Sequence, residues 1–576
     1  ENGSAGQLLS LIYKICYQFA VIPDMWSKAN VALVYKNKGD IEDIANYRPI
    51  SLTCVLRRMY ERIITEYMTP FAEDKLHPSQ GGFRPERNTV HQCYALHEIM
   101  QQHPDAFHAF LDLRAAYDCV NRNILWNDLE EKFGMDAHMI SICQSLFDAN
   151  VSNLVINGQK SPDIKCKRGL LQGSSLSPLL FNFYINSLLE RFDNYPKFRT
   201  NNLESNCLFF ADDGALHASN ADNLQEQLDE CSEWGLEYGM EFAAQKCAVM
   251  GKGKREKAFK IQRGIIPVVD SFIYLGIECR VDGMRFDTKH KERIASMMSM
   301  AHYLKSKGMH AFGWKAVNSI AAFKVFLRPK IEYGCPLMSK KDKAVENMEQ
   351  AKNKILNMIL SCGKSTSIGA QQKIIQIESM GARVEKLQFR FFYRLNNGGV
   401  TDAPAAVIWH SIENLWDISR SALQREVFAN NIIDYASNNT SQEVKKYIHR
   451  RKFASMEVHD KVDKDGMRNV AASINTPKRN EISILIDPNI ERSSQMLVTY
   501  MRLGVYTFHQ RCKKCGEETS RAHAYHCSGE LERLVRLFPQ VYDRYTSSVE
   551  SRNTLFPDFL LNWMDTLYSS KSDRKM

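Results

Sequence analysis

The stretch LFFADDGALH (208–217) places two adjacent aspartates at the end of an apolar run. Neighbouring residues of a regular strand point to opposite faces, so Asp212 and Asp213 can reach one site only if the chain turns there. Asp-Gly is a strong hairpin signal, which predicts two strands joined at ADDG. Carboxylates at such a tip suit a hard cation such as Mg²⁺. The stretch alone leaves a second interpretation open, a solvated turn without a ligand.

A third carboxylate lies upstream, in FHAFLDLRAAYD (107–118). Asp112 interrupts an apolar run, and a lone buried carboxylate is unfavourable unless it is paired or binds a metal. Two acidic strands could therefore supply a two-metal phosphoryl-transfer site, whose metals lie roughly 3.5 to 4 Å apart. For Asp118 we prefer a structural role, as a helix-start residue or a capping residue.

Bulk properties limit the class of protein. A chain of 576 residues is expected to form two to four domains. The formal net charge of +9 suggests a polyanionic partner without establishing one.

The 15 cysteines are mostly isolated, which favours a reducing compartment such as the cytosol or nucleus over a disulfide framework. No apolar stretch reaches the roughly 20 residues that span a bilayer, so we expect no membrane partner. The first residue is Glu1, and no targeting signal follows it, so we expect a piece of a longer protein.

Secondary-structure patterns divide the chain. Up to about residue 280, helical patterns alternate with β-like runs, and from about residue 284 to 400 only helical patterns continue, which indicates an α+β protein. A polar stretch at 435–453 is a candidate linker. The predicted strands are ANVALVYK (29–36), HAFLDL (108–113), SNLVING (152–158), CLFFADDGALH (207–217), KCAVMGKG (246–253) and SFIYLGIE (271–278), and two predicted helices lie at 56–68 and 224–240.

Several motifs follow one another in a recognisable order. They are NYRPISLTCVLRRMYERII (46–64), SQGGFRPERNTV (79–90), FLDLRAAYD (110–118), RGLLQGSSLSPLLFNFYINSLL (168–189), FFADDG (209–214), WGLEYGMEFAAQKCAVM (234–250) and FIYLG (272–276). This series resembles that of reverse transcriptases, and more narrowly those of non-LTR retrotransposons. The resemblance implies a right-hand polymerase with fingers, palm and helical thumb.

The resemblance also implies domain limits and a reaction. We expect fingers and palm over 1–283, a helical thumb and its extension over 284–400, a helical connector or linker over 401–505, and a zinc-knuckle domain over 506–576. The implied reaction is attack of a primer 3′-hydroxyl on the α-phosphate of a dNTP, directed by an RNA template and assisted by two Mg²⁺ ions.

The family's motifs assign roles to individual residues. Asp112, Asp212 and Asp213 match the catalytic, metal-binding triad, with Asp212 expected to be the closer ligand. The backbone carbonyl of Leu113 is a further expected metal contact. Lys246 matches a lysine that protonates the leaving pyrophosphate as a general acid.

Other matched residues are expected to bind substrate. Tyr117 matches an aromatic gate beneath the incoming sugar, and an ordinary core tyrosine is the alternative. Gly173, without a Cβ, would let the backbone approach the template-primer or base pair closely, and Gln172 would hydrogen-bond there. Ser174 stands where family members often carry Asp. Arg48 matches an arginine expected on the triphosphate, which its planar fork suits. Lys36, Arg84 and Arg87 are possible helpers without assigned roles, and FIYLG is the expected primer grip.

A cysteine cluster near the end needs its own explanation. RCKKCGEETSRAHAYHC (511–527) contains C-x₂-C-x₇-H-x₃-C, a spacing suited to one tetrahedral, structural Zn²⁺. It resembles the Cys-Cys-His-Cys knuckle of many non-LTR elements, in which four residues usually separate the histidine from the last cysteine. In this chain three residues separate His523 from Cys527, and His526 is a competing ligand. The expected ligands are Cys512, Cys515, His523 and Cys527.

The sequence thus predicts an RNA-directed DNA polymerase of a non-LTR retrotransposon, primed from a nicked DNA target. Its expected partners are an RNA template, a DNA primer or target DNA, and dNTPs, in the nucleus and cytoplasm; the sequence gives no oligomeric state. Two alternatives are an inactive, domesticated RNA-binding scaffold and an intron-maturase type of reverse transcriptase. The residues after Cys527 are too few for a restriction-like nuclease, and no apurinic-type nuclease precedes the fingers in the given sequence, so we expect this piece to polymerise without cleaving. An upstream nuclease removed with the missing amino terminus is the alternative.

Overall fold

The computed structural model describes residues 3–413, except 38, 157, 253–257, 311–312, 361–367, 376 and 398–400. The predicted linker at 435–453 and the four predicted zinc ligands lie outside the described residues. Residues up to Arg285, together with the segment that starts at Arg394, form one compact unit, and Phe286–Tyr393 belong to a second.

The first unit mixes helices and strands. Its helices are α1 (Ser4–Phe19), α2 (Val55–Lys75), α3 (Thr89–Gln102), α4 (Ala116–Cys119), α5 (Arg122–Glu131), α6 (Ala137–Phe147), α7 (Ser177–Arg191) and α8 (Ala221–Tyr238), with α15 (Pro404–Glu413) added from the later segment. Its strands are β1 (Lys28–Tyr35), β2 (Tyr47–Thr53), β3 (Phe107–Leu111), β4 (Val151–Ile156), β5 (Gln159–Lys160), β6 (Ile164–Lys165), β7 (Phe198–Thr200), β8 (Leu203–Ser205), β9 (Cys207–Phe210), β10 (Asp213–Ala218), β11 (Ala248–Met250), β12 (Lys260–Ile261), β13 (Gly264–Ile265), β14 (Ser271–Tyr274), β15 (Ile277–Arg280) and β16 (Gly283–Arg285).

The described residues of the second unit are helical, as the sequence predicts. The helices are α9 (His290–Ser306), α10 (Ala316–Ala322), α11 (Arg328–Glu332), α12 (Lys343–Leu360), α13 (Ile368–Ile374) and α14 (Met380–Asn397), which begins in this unit. A π-helical turn, Phe323–Leu327, joins α10 to α11. Buried apolar residues recur along α12 at helical spacing, including Met348, Ile355 and Ile359, so this helix carries part of the unit's core.

A four-stranded antiparallel sheet in the order β11-β3-β10-β9 carries the three aspartates. Residues alternate between its faces, and one face, which includes Ala109, Leu111, Phe209 and Leu216, belongs to the main hydrophobic core. Each fully buried Leu or Phe there contributes about 1.5–3 kcal/mol to folding. Asp112 directly follows Leu111 at the end of β3, so the alternation of side chains places it on the opposite face.

A small antiparallel sheet, β14-β15-β16, covers part of that second face. The ring of Phe272 stacks on Phe110 with centroids 4.7 Å apart, and the Tyr274 hydroxyl donates to the Leu208 carbonyl at 3.5 Å. FIYLG therefore forms a hairpin packed beside the acidic end of the larger sheet.

A separate sheet near the amino terminus has the order β2-β1-β4-β5, with β6 paired to β4. β1 runs antiparallel to β2 and parallel to β4. Arg48 on β2 lies opposite Val34 in this register.

The sequence predictions of secondary structure are confirmed for these elements. Every predicted strand overlaps an observed strand, the run at 207–217 is a hairpin, and the two predicted helices correspond to α2 and α8. Within the described residues no helix is both long and apolar enough to cross a bilayer.

Candidate active site

The three aspartates are brought together by strand register. Asp213 pairs with Phe210 across the β9–β10 hairpin, which leaves Ala211 and Asp212 as the two turn residues. On the other side, Gly214 pairs with Leu111, and continuing this register by one residue sets Asp213 opposite Asp112. Directly opposed residues of an antiparallel pair point to the same face. Asp112 and Asp213 therefore share a face, with Asp212 at the adjoining turn.

The carboxylates interact electrostatically. Burial raises the pKa of Asp212, its own backbone N–H opposes that shift, and the negative charge of Asp112 adds to the increase. The pKa of Asp213 is raised to about 6. The first cause is partial burial of its carboxyl, although the residue keeps some exposure to solvent, and the charges of Asp212 and Asp112 follow. Like charges held this close destabilise one another, and a cation between them relieves the repulsion.

Lys246 already supplies one positive charge. Its ammonium nitrogen lies 3.2 Å from Asp112 Oδ1, and its backbone N–H donates to the Ala243 carbonyl at 2.7 Å in the turn before β11. The Lys246 side chain is 66% exposed, so the ammonium is free to exchange partners. Lys246, which the motif series predicts to be a general acid, therefore lies at the carboxylates, although it is 134 residues from Asp112 in the chain.

The donor atoms of this site are of the kind that Mg²⁺ binds. Carboxylates and backbone carbonyls are the oxygen ligands that this ion takes, so the chemistry of the donors fits. In the described part of the chain no three acidic, histidine or cysteine side chains are already arranged around a metal position. Asp112 points to Lys246 instead, so binding a cation would require that ion pair to loosen.

The Leu113 carbonyl has an orientation compatible with its expected role. Leu113 forms an antiparallel bridge with Phe242, and the flanking backbone bonds, of 2.8 and 2.9 Å, join their neighbours. In such a pair the central residue's own N–H and C=O point away from the partner strand. The carbonyl is thus directed toward the β10 side, where Asp212 lies.

Tyr117 lies close to the same carboxylates. Its ring stacks on Phe181 of α7, with centroids 5.0 Å apart and planes 9° from parallel. Burial, followed by the charge of Asp212, raises the pKa of its hydroxyl. The ring is thus both packed on the core and adjacent to the acidic site.

The helix-start prediction for Asp118 is confirmed, because it lies in the first turn of a helix, but Asp118 is not the capping residue. Asp118 lies within the short helix α4, and the residue before that helix is Ala115, which has a positive φ of 46° and no side chain able to cap. The Asp118 carboxylate instead lies 3.5 Å from Gln172 Nε2. Side-chain pattern alone could not reveal this, because the partner is 54 residues away.

The glycine of LLQGSSLSP approaches protein backbone. Gly173 has a φ of +118°, and a Cβ there would meet the Ser51 carbonyl oxygen at 2.7 Å. The Gln172 carbonyl accepts a 2.7 Å bond from the Ser51 N–H. The predicted approach to the template-primer remains a prediction, and the structure adds a different need for glycine, the contact with β2.

The arginines and lysine expected near substrate have different surroundings. Arg48 is exposed and lies close enough to Asp212 for its positive charge to oppose the upward shift of the Asp212 pKa. Arg84 is buried and forms an ion pair with Glu73 at 3.0 Å. Arg87 and Lys36 are also engaged: Arg87 donates to the Pro78 carbonyl and pairs with Asp402, and Lys36 donates to the Ala45 carbonyl. Arg84 and Arg87 therefore stabilise the protein's own structure.

The site geometry and its motifs can now be compared with known proteins. Residues 35–279 match the reverse transcriptase (RNA-dependent DNA polymerase) family. That segment contains all the matched site residues from Arg48 to Lys246, together with the FIYLG hairpin. The reverse transcriptase region is therefore the part of the chain that carries the candidate site.

Relatives extend the comparison. The chain is 27% identical over 331 residues to the retrovirus-related Pol polyprotein from type-1 retrotransposable element R2 of Popillia japonica, covering 54% of this chain and 45% of that protein. It is 22% identical over 413 residues to the probable RNA-directed DNA polymerase from transposon X-element of Drosophila melanogaster, covering 67% and 43%. It is 26% identical over 255 residues to the RNA-directed DNA polymerase from mobile element jockey of the same fly, covering 42% and 27%. The chain thus spans less than half the length of these curated relatives.

Among solved structures, apo telomerase from Candida tropicalis aligns with a TM-score of 0.39 at 13% identity, covering 71% of this chain and 74% of that one.

Proposed function

We propose that this chain is an RNA-directed DNA polymerase of a non-LTR retrotransposon, which extends a primer 3′-hydroxyl on an RNA template. The observation that carries the proposal is the register that sets Asp213 opposite Asp112 beneath a turn carrying Asp212. The matched reverse transcriptase family and the retrotransposon polymerases among the relatives support it.

Asp112, Asp212, Asp213 and the Leu113 carbonyl would hold two Mg²⁺ ions. When bound, these ions would activate the attacking hydroxyl and stabilise charge on the leaving pyrophosphate. The protein supplies a rigid sheet that fixes the carboxylates, so that little reorganisation accompanies reaction.

Lys246 would act on the leaving group. Its ammonium starts as the partner of Asp112, at 3.2 Å, and a triphosphate entering the site offers it competing anionic oxygens. From that position Lys246 would donate a proton to the departing pyrophosphate oxygen as a general acid.

Three residues would bind and select the nucleotide. Arg48, which is exposed and whose charge acts on Asp212, would pair with the triphosphate through its planar guanidinium. Tyr117, held against Phe181, would exclude a sugar 2′-hydroxyl. Gln172, within reach of Asp118 at 3.5 Å, would contact the base pair.

The nucleic-acid partners would be an RNA template and a nicked DNA target that supplies the primer. The net charge of +9 favours polyanionic partners. Cys512, Cys515, His523 or His526, and Cys527 would bind one structural Zn²⁺, and their basic neighbours would contact nucleic acid.

A primer-extension assay tests the polymerase. We expect extension on an RNA template with dNTPs in preference to NTPs, and a loss in Asp212→Ala on the order of 100-fold or more with template affinity retained. Asp222→Ala, which removes an exposed aspartate from the first turn of α8, is the matched control and should keep full activity. Template binding without extension by the wild-type chain would favour the inactive scaffold.

Metal analysis tests the zinc knuckle separately. The full chain should contain one Zn²⁺, and the double variant Cys512→Ser with Cys515→Ser should lose it and bind RNA more weakly. A protein without zinc, or a double variant with full affinity for nucleic acid, contradicts this part of the proposal.

A further inference from the structure

One buried amide side chain holds the turn that carries Asp212. The side-chain oxygen of Gln80 accepts a 2.8 Å bond from the Ala211 N–H, and its amide nitrogen donates to the Ala211 carbonyl at 3.3 Å. Gln80 is 1% exposed. Both hydrogen-bonding groups of Ala211 are therefore held by the same side chain.

Ala211 needs such support because of its conformation. Its φ is +57°, in the left-handed region that residues with a Cβ disfavour. A two-residue hairpin turn with positive φ at its first position usually has glycine there. The chain has alanine instead, so the turn keeps its shape through contacts from outside the hairpin.

Gln80 is itself fixed by the segment around it. Ser79–Gly81 lies along the free edge of β9: the Phe209 N–H donates to the Ser79 carbonyl at 2.9 Å, and the Gly81 N–H donates to the Phe209 carbonyl at 2.8 Å. The Gly82 N–H donates to the same Gln80 oxygen at 2.8 Å. Ser79–Gly81, the start of the motif SQGGFRP, therefore acts as an added edge strand to the sheet that carries the aspartates.

Two further buried amides lock that edge. Gln92 of α3 donates from Nε2 to the carbonyls of Ser79 and Phe209, both at 2.9 Å. Asn182 of α7 donates to the Gly82 carbonyl at 2.7 Å. Gln92 is 3% exposed and Asn182 is fully buried, so these bonds form away from water. Helices on both sides of the segment thus hold Gln80 in one place.

We propose that Gln80 is a positioning residue for Asp212, holding the Ala211 peptide so that the next residue's carboxylate meets the metal site. This inference rests on the proposed function for its catalytic consequence. Gln80 is buried, and it would act through its two hydrogen bonds to the backbone of Ala211. The peptide that joins Ala211 to Asp212 has its carbonyl bound by Gln80, so the orientation of the Asp212 backbone is set by that bond.

The test compares two buried glutamines in the full-length chain. Gln80→Met keeps the side-chain length and removes the hydrogen bonds. Gln227→Met is the matched control: Gln227 is also 1% exposed, and it donates to the His217 carbonyl at the far end of β10, at 3.3 Å. Gln80 takes part in three hydrogen bonds and Gln227 in one, so the melting temperature should fall further in Gln80→Met, and both variants are compared at a temperature where each is folded.

Metal binding is the first readout, and it needs no catalysis. Mn²⁺ affinity would be measured without nucleic acid by the electron paramagnetic resonance of free Mn²⁺, with Asp212→Asn giving the background from other sites. Gln80→Met should weaken the site's affinity by about 10- to 100-fold, and Gln227→Met should leave it unchanged. Equal affinities in the wild type and Gln80→Met, or equal losses in both variants, would overturn the proposal.

Primer extension is the second readout. Gln80→Met should lower kcat and raise the Mg²⁺ concentration that gives half-maximal rate, while the KM for dNTP stays within about threefold. Adding Ala211→Gly to Gln80→Met should recover part of the lost Mn²⁺ affinity and kcat, because glycine adopts positive φ without strain. No recovery would show that the conformation of Ala211 is not what Gln80 controls. If the wild type extends no primer but the metal affinities shift as described, the proposed function fails and the positioning role stands.

Discussion

The ammonium of Lys246 and the carboxylate of Asp112 form an ion pair of 3.2 Å across the end of the four-stranded sheet that carries the three aspartates. Lys246→Met should lower kcat on the order of 100-fold if the lysine is the general acid. Because the pair is exposed, the free energy of unfolding should change by less than about 1 kcal/mol. Lys246→Arg separates the two roles of the charge: it preserves pairing with Asp112 but cannot readily give up a proton. Single-turnover rates as a function of pH would measure this, and a fully active arginine variant would contradict the proton-donor role.

Gly82 should tolerate no side chain. A Cβ at this position would meet the Ala211 backbone nitrogen at 2.2 Å, so Gly82→Ala must push the turn of Asp212 away from its support. We expect extension activity to fall by about 100-fold, since displacements near 1 Å have effects of that size. Gly381→Ala is the control, because a Cβ there meets nothing within 4 Å. Circular dichroism would show whether the loss of activity occurs in a folded protein, and full activity in Gly82→Ala would contradict the packing described.

Tyr117→Val should increase ribonucleotide incorporation. The ring stacks on Phe181 at 5.0 Å, and shortening the side chain would open space beneath the sugar. Tyr117→Phe keeps the ring and its stacking, so its selectivity should stay at the wild-type value. Competition between dNTP and NTP in primer extension measures both variants. Unchanged selectivity in Tyr117→Val would leave Tyr117 as a core residue only.

Arg48 and Arg84 should respond in opposite ways to replacement by alanine. Arg48 is exposed and its charge acts on Asp212, so its loss should raise the KM for dNTP by about tenfold with little effect on stability. Arg84 is buried and pairs with Glu73, so its loss should reduce the free energy of unfolding by about 3 kcal/mol. Thermal denaturation and steady-state kinetics on both variants would check the contrast. A lower melting temperature for Arg48→Ala would argue against its assignment to substrate.

A buried histidine pair should make stability depend on pH. His108 and His217 face each other on β3 and β10, with their Nδ1 atoms 3.0 Å apart. Burial lowers the pKa of His108 to about 4, and burial followed by the charge of His108 lowers the pKa of His217 well below its usual range. Both rings are therefore neutral in the folded protein and take up protons more readily when it unfolds.

The sign of the effect follows from proton uptake. Between the unfolded pKa of about 6.5 and the lower folded values, the unfolded chain binds more protons, so stability is present above about pH 6.5 and is lost as pH falls toward 4. The His108 shift alone corresponds to roughly 3 kcal/mol. Glu98 acts in the opposite direction, since burial raises its pKa to about 7. Denaturant unfolding at several pH values should therefore compare the wild type with His217→Gln. Between pH 6.5 and 4 the variant should lose less free energy of unfolding than the wild type, and that difference is the contribution of the histidine pair.

Sequence reasoning predicted the hairpin at 207–217 from Asp-Gly and the flanking apolar residues. The hairpin is present, but its turn residues are Ala211 and Asp212, and the Asp213-Gly214 pair that suggested the turn begins β10. Sequence reasoning also placed Lys246 beside the aspartates, through motif order. It could not give Asp118 its partner or explain Gly173 through Ser51, because both depend on contacts between distant segments. The role of Gln80 was missed for the same reason: nothing in SQGGFRP indicates that this segment borders β9. Arg84 and Arg87 were possible substrate ligands by charge, and only their burial and ion pairs showed otherwise.

The edge formed by Ser79–Gly81 also bears on how the protein folds. Gln80 and Ala211 are 131 residues apart, so their contact closes a long loop and should form late, after the local β9–β10 hairpin. A fragment that starts after Gly82 would contain all three aspartates and a complete hairpin, yet Asp212 would lack its support. If Gln80 has the proposed role, we expect a fragment to need the segment that precedes α3 for polymerase activity, and truncations meant to isolate the four-stranded sheet should begin upstream of Ser79.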